Sequence, residues 1–309
     1  MPKPFRFTAA MPGLANRTPA QWRDQIRRLE ELGFSSVSIS DHFTDGWAMD
    51  PIVAMTVAAE ATSRLRVLSL VFCNDFRHPV LLHKSMANLA VFSGGRVEIG
   101  LGAGWKHSEH AAAGLTFDPP AERVERLGES IDVITGLFGP EPLTYAGRHY
   151  RITELDGLPK PAGGRPPILV GGGGRKVLEL AGRTADIVGI NPRLTAGGGL
   201  DAAMADMTPE RITRKIAWAR AAAPDPDRLE FQMTMLDVRV TVDGETHGST
   251  SSQAAAATPE QLAASPAVLH GAVDECVDKL VEVRERFGIS YFHLGGNVAA
   301  AAPIVAKLG

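Results

Sequence analysis

Apolar, β-branched runs that stop on polar or glycine-rich clusters recur five times along this chain, and they restrict its fold more than any other feature. Ser36–Ser40 runs into Asp41-His42-Phe43, and Val67–Val71 runs into Phe72-Cys73-Asn74-Asp75. Arg96–Leu101 ends on Gly102-Ala103-Gly104-Trp105, Ile168–Val170 on Gly171 to Gly174, and Ile187–Ile190 on Asn191-Pro192. Runs this short and this apolar read as parallel strands buried on both faces, and a helical pattern follows most of them. The alternation predicts an α/β fold, a (β/α)8 TIM barrel whose strand C-termini all open on one face. The polar clusters then belong to one site.

A length of 309 residues fits a single barrel domain over residues 1–309, since such barrels need about 250 residues and the remainder supplies insertions. The net charge of -3 gives no electrostatic reason to expect nucleic acid or a membrane surface as a partner. Cys73 and Cys276 lie in unrelated contexts, so a reducing cytoplasm is expected rather than a disulfide scaffold. No apolar run approaches the roughly 20 residues of a membrane span. The N-terminal stretch carries charge and proline without an apolar signal core, so export is not expected.

Along the chain, Phe5–Ala9 reads as the first strand. Thr18-Pro19-Ala20-Gln21 opens a helix with a capping box, Trp22, Ile26 and Leu29 form its apolar stripe, and Gly33 is its left-handed stop. Asp50-Pro51 and His78-Pro79 open the next two helices, and Pro119–Phe138 is a fourth. Thr144–Tyr150 interrupts the alternation as a small hairpin. Helices are expected over Arg175–Arg183, Pro209–Ala223 and Ala272–Phe287, with loop over Arg193–Asp206. Phe231–Val242 is expected as one long strand, Gly244–Ala257 as a mobile insertion over the mouth, and Tyr291–Leu294 as the eighth strand.

Asp41-His42 is the sharpest chemical pair. Histidine titrates near neutrality and can shuttle a proton beside a reacting ring, while the structural alternative is a helix-capping aspartate beside a packed histidine. Gly171 to Gly174 followed by Arg175-Lys176 is a strand–glycine–helix junction. It suits a phosphate held by backbone N–H groups and a helix N-terminus, the alternative being a tight turn. A Walker loop needs Gly-Lys-Ser/Thr and a Rossmann fingerprint needs a glycine where Lys176 or Trp105 stands, so neither is present. Gly102-Ala103-Gly104-Trp105 lets a flat ligand approach backbone, and Cys73-Asn74-Asp75 offers hydrogen bonds to a ring edge. Cys73 itself reads as a small buried residue. Glu109-His110 either reaches the substrate or decorates a solvated loop, with the loop slightly favoured. His78, His83, His107 and His149 show no metal-ligand spacing, so no metal is expected.

Ser40-Asp41-His42, Asp75-Phe76-Arg77-His78-Pro79, Ser93-Gly94-Gly95-Arg96 through Trp105, Pro166–Gly172 and Gly288–Tyr291 together resemble the bacterial-luciferase-like superfamily, over nearly the whole chain. Their wording is similar to the subgroup of oxidoreductases that use the deazaflavin coenzyme F420. The resemblance implies a luciferase-like barrel with insertions, usually a homodimer, binding its ring cofactor at the strand C-termini. It places Asp41 and His42 by the ring, with His42 at the hydride-transferring edge. The bend at Leu70-Val71-Phe72 would back the ring through a non-prolyl cis peptide, with Cys73 and Asn74 beside it. Gly102, Ala103, Gly104 and Trp105 would line the cofactor, and Gly171, Gly172, Gly173, Gly174 and Arg175 would hold its phosphate. His42 is the candidate for chemistry, with Glu109 next. The sugar-phosphate dehydrogenases of the family carry a glutamate where this chain has Trp105, so an apolar or aromatic small-molecule substrate is expected instead. Two other readings stand: an FMN-dependent monooxygenase on the same fold, and a barrel that binds cofactor without turnover.

Overall fold

In the computed structural model, residues 3–194 and 201–309 are described. Eight parallel strands close a barrel: β1 (Arg6–Ala10), β2 (Ser36–Ile39), β3 (Arg66–Ser69, resuming at Phe72–Cys73), β4 (Val97–Gly102), β5 (Ile168–Gly172), β6 (Ile187–Ile190), β7 (Glu230–Thr234) and β8 (Ile289–His293). Each pairs with the next, and β8 returns to β1 in the register Arg6 with Tyr291 and Thr8 with His293. The helices are α1 (Pro19–Glu31), α2 (Pro51–Ala61), α3 (Pro79–Phe92), α4 (His107–Ala112), α5 (Pro120–Leu137), α6 (Arg175–Thr184), α7 (Asp201–Ala205) and α8 (Pro209–Ala222). After β7 come α9 (Ser252–Ala255), α10 (Pro259–Ala264) and α11 (Val273–Phe287), and after β8 comes α12 (Val298–Leu308). No helix among the described residues is long and apolar enough to cross a membrane.

Local chemistry sets the helix ends as the sequence requires. The Thr18 hydroxyl accepts from Gln21 N at 3.2 Å while the Gln21 side chain accepts from Thr18 N at 2.8 Å, a reciprocal cap on α1. Asp50 caps α2 through Val53 N at 3.0 Å. Gly33, at φ +84°, takes the left-handed conformation that ends the α1 turn.

The barrel is filled, not hollow. At the N-terminal ends of the strands, Glu98 lies buried between Arg6, Arg66 and the Tyr291 hydroxyl, and Arg6 reaches on to Glu230 at 2.7 Å. Above this ionic floor, Leu68, Leu169, Ile187 and the Tyr291 ring form an apolar plug, with Leu70 and Val71 packed on it. Chemistry is therefore confined to the opposite end.

Three stretches depart from the sequence reading. Phe231–Val242 is two strands: Glu230–Thr234 stays in the barrel, and Asp237–Val242 joins a second sheet. Asp237–Val242 pairs antiparallel with Glu245–Thr250 and parallel with Val268–Ala272. Gly244–Ala257 is thus not an unstructured insertion. Asp243 and Gly244, at φ +50° and +85°, form the tight turn of a hairpin, the Asp-Gly signal for exactly two central residues with positive φ. The expected loop Arg193–Asp206 contains α7, and its residues 195–200 lie outside the described residues.

Candidate functional site

The C-terminal ends of β2, β3, β4, β5 and β6 bring the polar clusters to one mouth. At the end of β2, Asp41 is buried, and its carboxylate accepts from Cys73 N at 3.1 Å and from the Arg77 guanidinium. Burial pushes the Asp41 carboxyl up, and the bonds from Arg77 and Cys73 only partly oppose this. Arg77 continues to Asp50 at 2.9 Å. Asp41 therefore caps no helix. It clasps the β2 end to the β3 end and to the start of α2, which fixes the backbone that carries His42.

His42 projects into the mouth with its side chain 19 % exposed. Its Nδ1 meets Glu109 Oε2 at 2.7 Å, and no partner for Nε2 is found among the described residues. Two indoles frame the ring, Trp47 at 5.4 Å and Trp105 at 6.0 Å between centroids. Glu109 comes from α4 and is 1 % exposed, so the solvated-loop reading is wrong. Its other oxygen, Oε1, accepts from Thr44 Oγ1 at 2.8 Å, Phe43 N at 3.2 Å and Thr44 N at 3.3 Å, with Lys106 at 3.5 Å. Burial alone would raise this carboxyl, but the His42 and Thr44 bonds outweigh it and hold it down to about 2. Glu109 is thus ionised and can only accept, so the His42 nitrogen facing it, Nδ1, carries a proton. When the ring holds a single proton, that tautomer leaves the Nε2 lone pair free.

Gly102 of β4 and Gly171 of β5 make room for Val71. The Leu70–Val71 peptide is cis, within the stretch expected for it. A Cβ on Gly102 would lie 2.7 Å from Val71 Cγ2 and one on Gly171 3.2 Å from Val71 Cγ1, whereas one on Gly100 would strike the Ser69 carbonyl oxygen at 1.9 Å. Gly104, at φ +73°, is closed off by the Cys73 sulfur at 2.8 Å from such a Cβ. Arg123 binds the Ala103 carbonyl at 2.7 Å and the Gly104 carbonyl as well. Burial pushes the Cys73 thiol up to about 12, which keeps it protonated and inert.

The β5–α6 turn divides in the same way. A Cβ on Gly172 would meet Val177 Cγ1 at 2.4 Å, and one on Gly173 would meet Arg193 N at 2.4 Å, so both glycines are demanded by packing. Gly174 alone faces free space, with nothing within 4 Å of its Cβ direction. It caps α6 without a side-chain bond, leaving the first-turn N–H groups available to an anion. Arg175 is 68 % exposed and pairs with Glu179 at 2.7 Å rather than turning toward Gly174. Beside β3, Asn74 is buried with Oδ1 lacking any donor, while its Nδ2 reaches the Tyr150 hydroxyl at 3.3 Å. Asp75 is not a free ring contact, because Arg126 takes both its oxygens at 2.9 and 3.0 Å.

Sequence reasoning missed Arg77, Thr44, Trp47 and Lys106. Arg77 lies in a stretch that resembles the superfamily, and Thr44 and Trp47 lie in the loop that Asp41 opens. Their position directly after a barrel strand was the available signal.

The chain matches the luciferase-like monooxygenase family over residues 5–290. It is 33 % identical over 190 residues to an F420-dependent glucose-6-phosphate dehydrogenase of Kineococcus radiotolerans, covering 59 % of this chain and 54 % of the relative. It is 35 % identical over 163 residues to an F420-dependent hydroxymycolic acid dehydrogenase of Mycobacterium tuberculosis, covering 51 % and 45 %. The chain thus spans about half the length of these curated relatives. Among solved structures, an F420-dependent secondary alcohol dehydrogenase bound to an F420–acetone adduct superposes with a TM-score of 0.77 at 19 % identity, covering 99 % of this chain and 98 % of that one. Monooxygenase RslO1 from Streptomyces bottropensis gives 0.74 at 22 %, covering 98 % and 97 %. At these identities the two structures speak to the fold alone.

Proposed function

This chain belongs to the luciferase-like monooxygenase family, and on that premise we propose that it is a coenzyme F420-dependent oxidoreductase acting on a small organic substrate. The observation that carries the reading is the free His42 Nε2, held in one tautomer by an ionised Glu109 at the barrel mouth. The names of the curated relatives favour the deazaflavin over FMN. The residues present suit such a cofactor. Asn74 Oδ1 is a buried acceptor awaiting a donor, and the uncapped α6 start beside Gly174 is open to a phosphate.

When bound, the deazaflavin supplies a ring carbon that gives or takes a hydride. Val71, seated on Gly100, Gly102 and Gly171, offers an apolar surface against one face of a planar ring. His42 takes a proton at Nε2 from a substrate hydroxyl as the hydride leaves, or returns it in the reverse direction. Glu109 acts through His42: it fixes the tautomer and stabilises the imidazolium once Nε2 is protonated. Trp47, Trp105 and Phe43, each partly exposed at the mouth, exclude water and favour an apolar or aromatic substrate. Lys106 is paired with Asp45 and Arg77 with Asp41 and Asp50, so neither cation is free for a phosphorylated sugar.

Titration of the protein with F420 and with FMN, followed by absorbance, tests the assignment. Binding of F420 at micromolar levels or better, with weaker FMN binding and slow oxygen uptake by the reduced complex, is expected. Tight FMN binding with no F420 binding, and rapid oxygen consumption, would replace the proposal with a monooxygenase. A cytoplasmic homodimer completes the reading. Its support is the outward face of α2 and α3, where Val53, Leu81, Val91 and Phe92 are 63, 66, 47 and 73 % exposed.

A further inference from the structure

Glu125 and Glu129 stand one turn apart on α5, and His149 lies in the turn between the strands Leu143–Ala146 and Arg151–Leu155. This cluster is on the outside of the barrel and takes no part in the mouth. One ligand atom from each of the three side chains falls within 4.8 Å of the others.

The histidine is the informative member. Its side chain is only 8 % exposed, yet Nε2 is buried with no hydrogen-bond partner. The facing carboxylate oxygen, Glu125 Oε1, is 3.9 Å away. That is too long for a hydrogen bond, but it is within about 0.5 Å of the roughly 3.4 Å that separates ligand atoms around a tetrahedral cation bound at about 2.1 Å. Leaving a buried imidazole nitrogen unsatisfied next to carboxylates is costly, and a bridging cation removes the cost.

The carboxylates are arranged to match. Glu129 accepts from Arg148 N at 2.7 Å, His149 N at 2.8 Å and Tyr150 N at 3.0 Å, which holds its side chain against the turn. Arg148 occupies Glu125 Oε2 at 3.0 Å and leaves Oε1 toward the imidazole.

We propose that Glu125, Glu129 and His149 form a three-ligand site for a divalent cation of the Zn2+ class, completed by water. An imidazole with two carboxylates suits zinc, whereas calcium and magnesium ask for six or more oxygens. The bound cation staples the hairpin to α5. The hairpin also carries Tyr150, whose hydroxyl supports Asn74 at the mouth, so the staple steadies the cofactor side of the barrel from outside.

The test uses the full chain after treatment with a chelator, titrated calorimetrically with Zn2+ alone. One site per chain of micromolar or tighter affinity is expected, with Mg2+ and Ca2+ giving no comparable heat. His149→Gln and Glu125→Gln should each weaken zinc by about tenfold or more. Glu129 is left intact because it holds three backbone N–H groups. Amide exchange over residues 147–150 should slow with zinc in the wild type, a readout that needs no variant. Absence of one-to-one uptake, zinc binding unchanged in either variant, or no protection of the turn would overturn the proposal.

Discussion

Glu109→Gln is the most demanding test of the mouth, because it keeps the shape of the side chain and removes one property. The amide oxygen can still accept from Thr44 and Phe43, which places the NH2 group against His42 Nδ1. Nδ1 must then accept, so the ring proton moves to Nε2 and the lone pair turns away from the substrate. A wrong-tautomer change of this kind costs about 10²–10⁴ in turnover, equivalent to about 3–5 kcal/mol of barrel-mouth transition-state stabilisation. Stability supplies an independent check. Glu109 is held at about 2 rather than 4.5, which at about 1.4 kcal/mol per unit is about 3.5 kcal/mol, and water at the open mouth screens this to about 1–2 kcal/mol. A depressed carboxyl stabilises the fold above its unfolded pKa and loses that contribution as pH falls through its folded pKa. The wild type should therefore exceed the variant in urea stability above pH 4.5, with the gap closing as pH falls toward 2. Turnover is assayed at saturating cofactor, from the absorbance of the deazaflavin. A variant that keeps turnover within about threefold would refute the tautomer role, and a stability gap independent of pH would refute the ionised carboxylate.

His42→Ala should lower turnover by about 10²–10⁴ while circular dichroism and most cofactor affinity are unchanged; full turnover would make His42 mere packing. Gly172→Val should lower the melting temperature, since its new atoms strike Val177, at a cost of about 1–3 kcal/mol. Gly174→Val meets no protein atom at its Cβ and should fold normally while weakening cofactor binding, so equal affinity in the two proteins would put the phosphate elsewhere. Replacing both Leu81 and Phe92 with aspartate should convert a dimer to monomer in sedimentation velocity, and an unchanged sedimentation coefficient would remove α2 and α3 from the interface.

The barrel and its active end were legible because their signals are local. Strands from Ser36, Arg66, Val97, Ile168 and Ile187 each show their burial in a few neighbouring residues, and parallel closure puts all their C-termini on one face whatever the side chains are. The Thr18 and Asp50 caps and the Gly33 stop are equally local, set by residues one to three positions apart. What the tertiary structure decided are the contacts between residues far apart in the chain. Glu109 looked like solvated loop until closure laid α4 over the β2 end, 67 residues earlier, and turned an exposed acid into the buried partner of His42. Gly102 and Gly171 looked like ligand clearance, but Val71 packs against both, which periodicity cannot reveal because Val71 comes from another strand. Phe231–Val242 alternates, but its phase flips at Met235-Leu236, where the chain passes from one sheet to the other; alternation reports which face is buried and not which strand lies alongside. Sequence patterns fix the conformations that neighbouring residues share; which distant side chains meet is settled by the geometry of a closed, fully packed barrel.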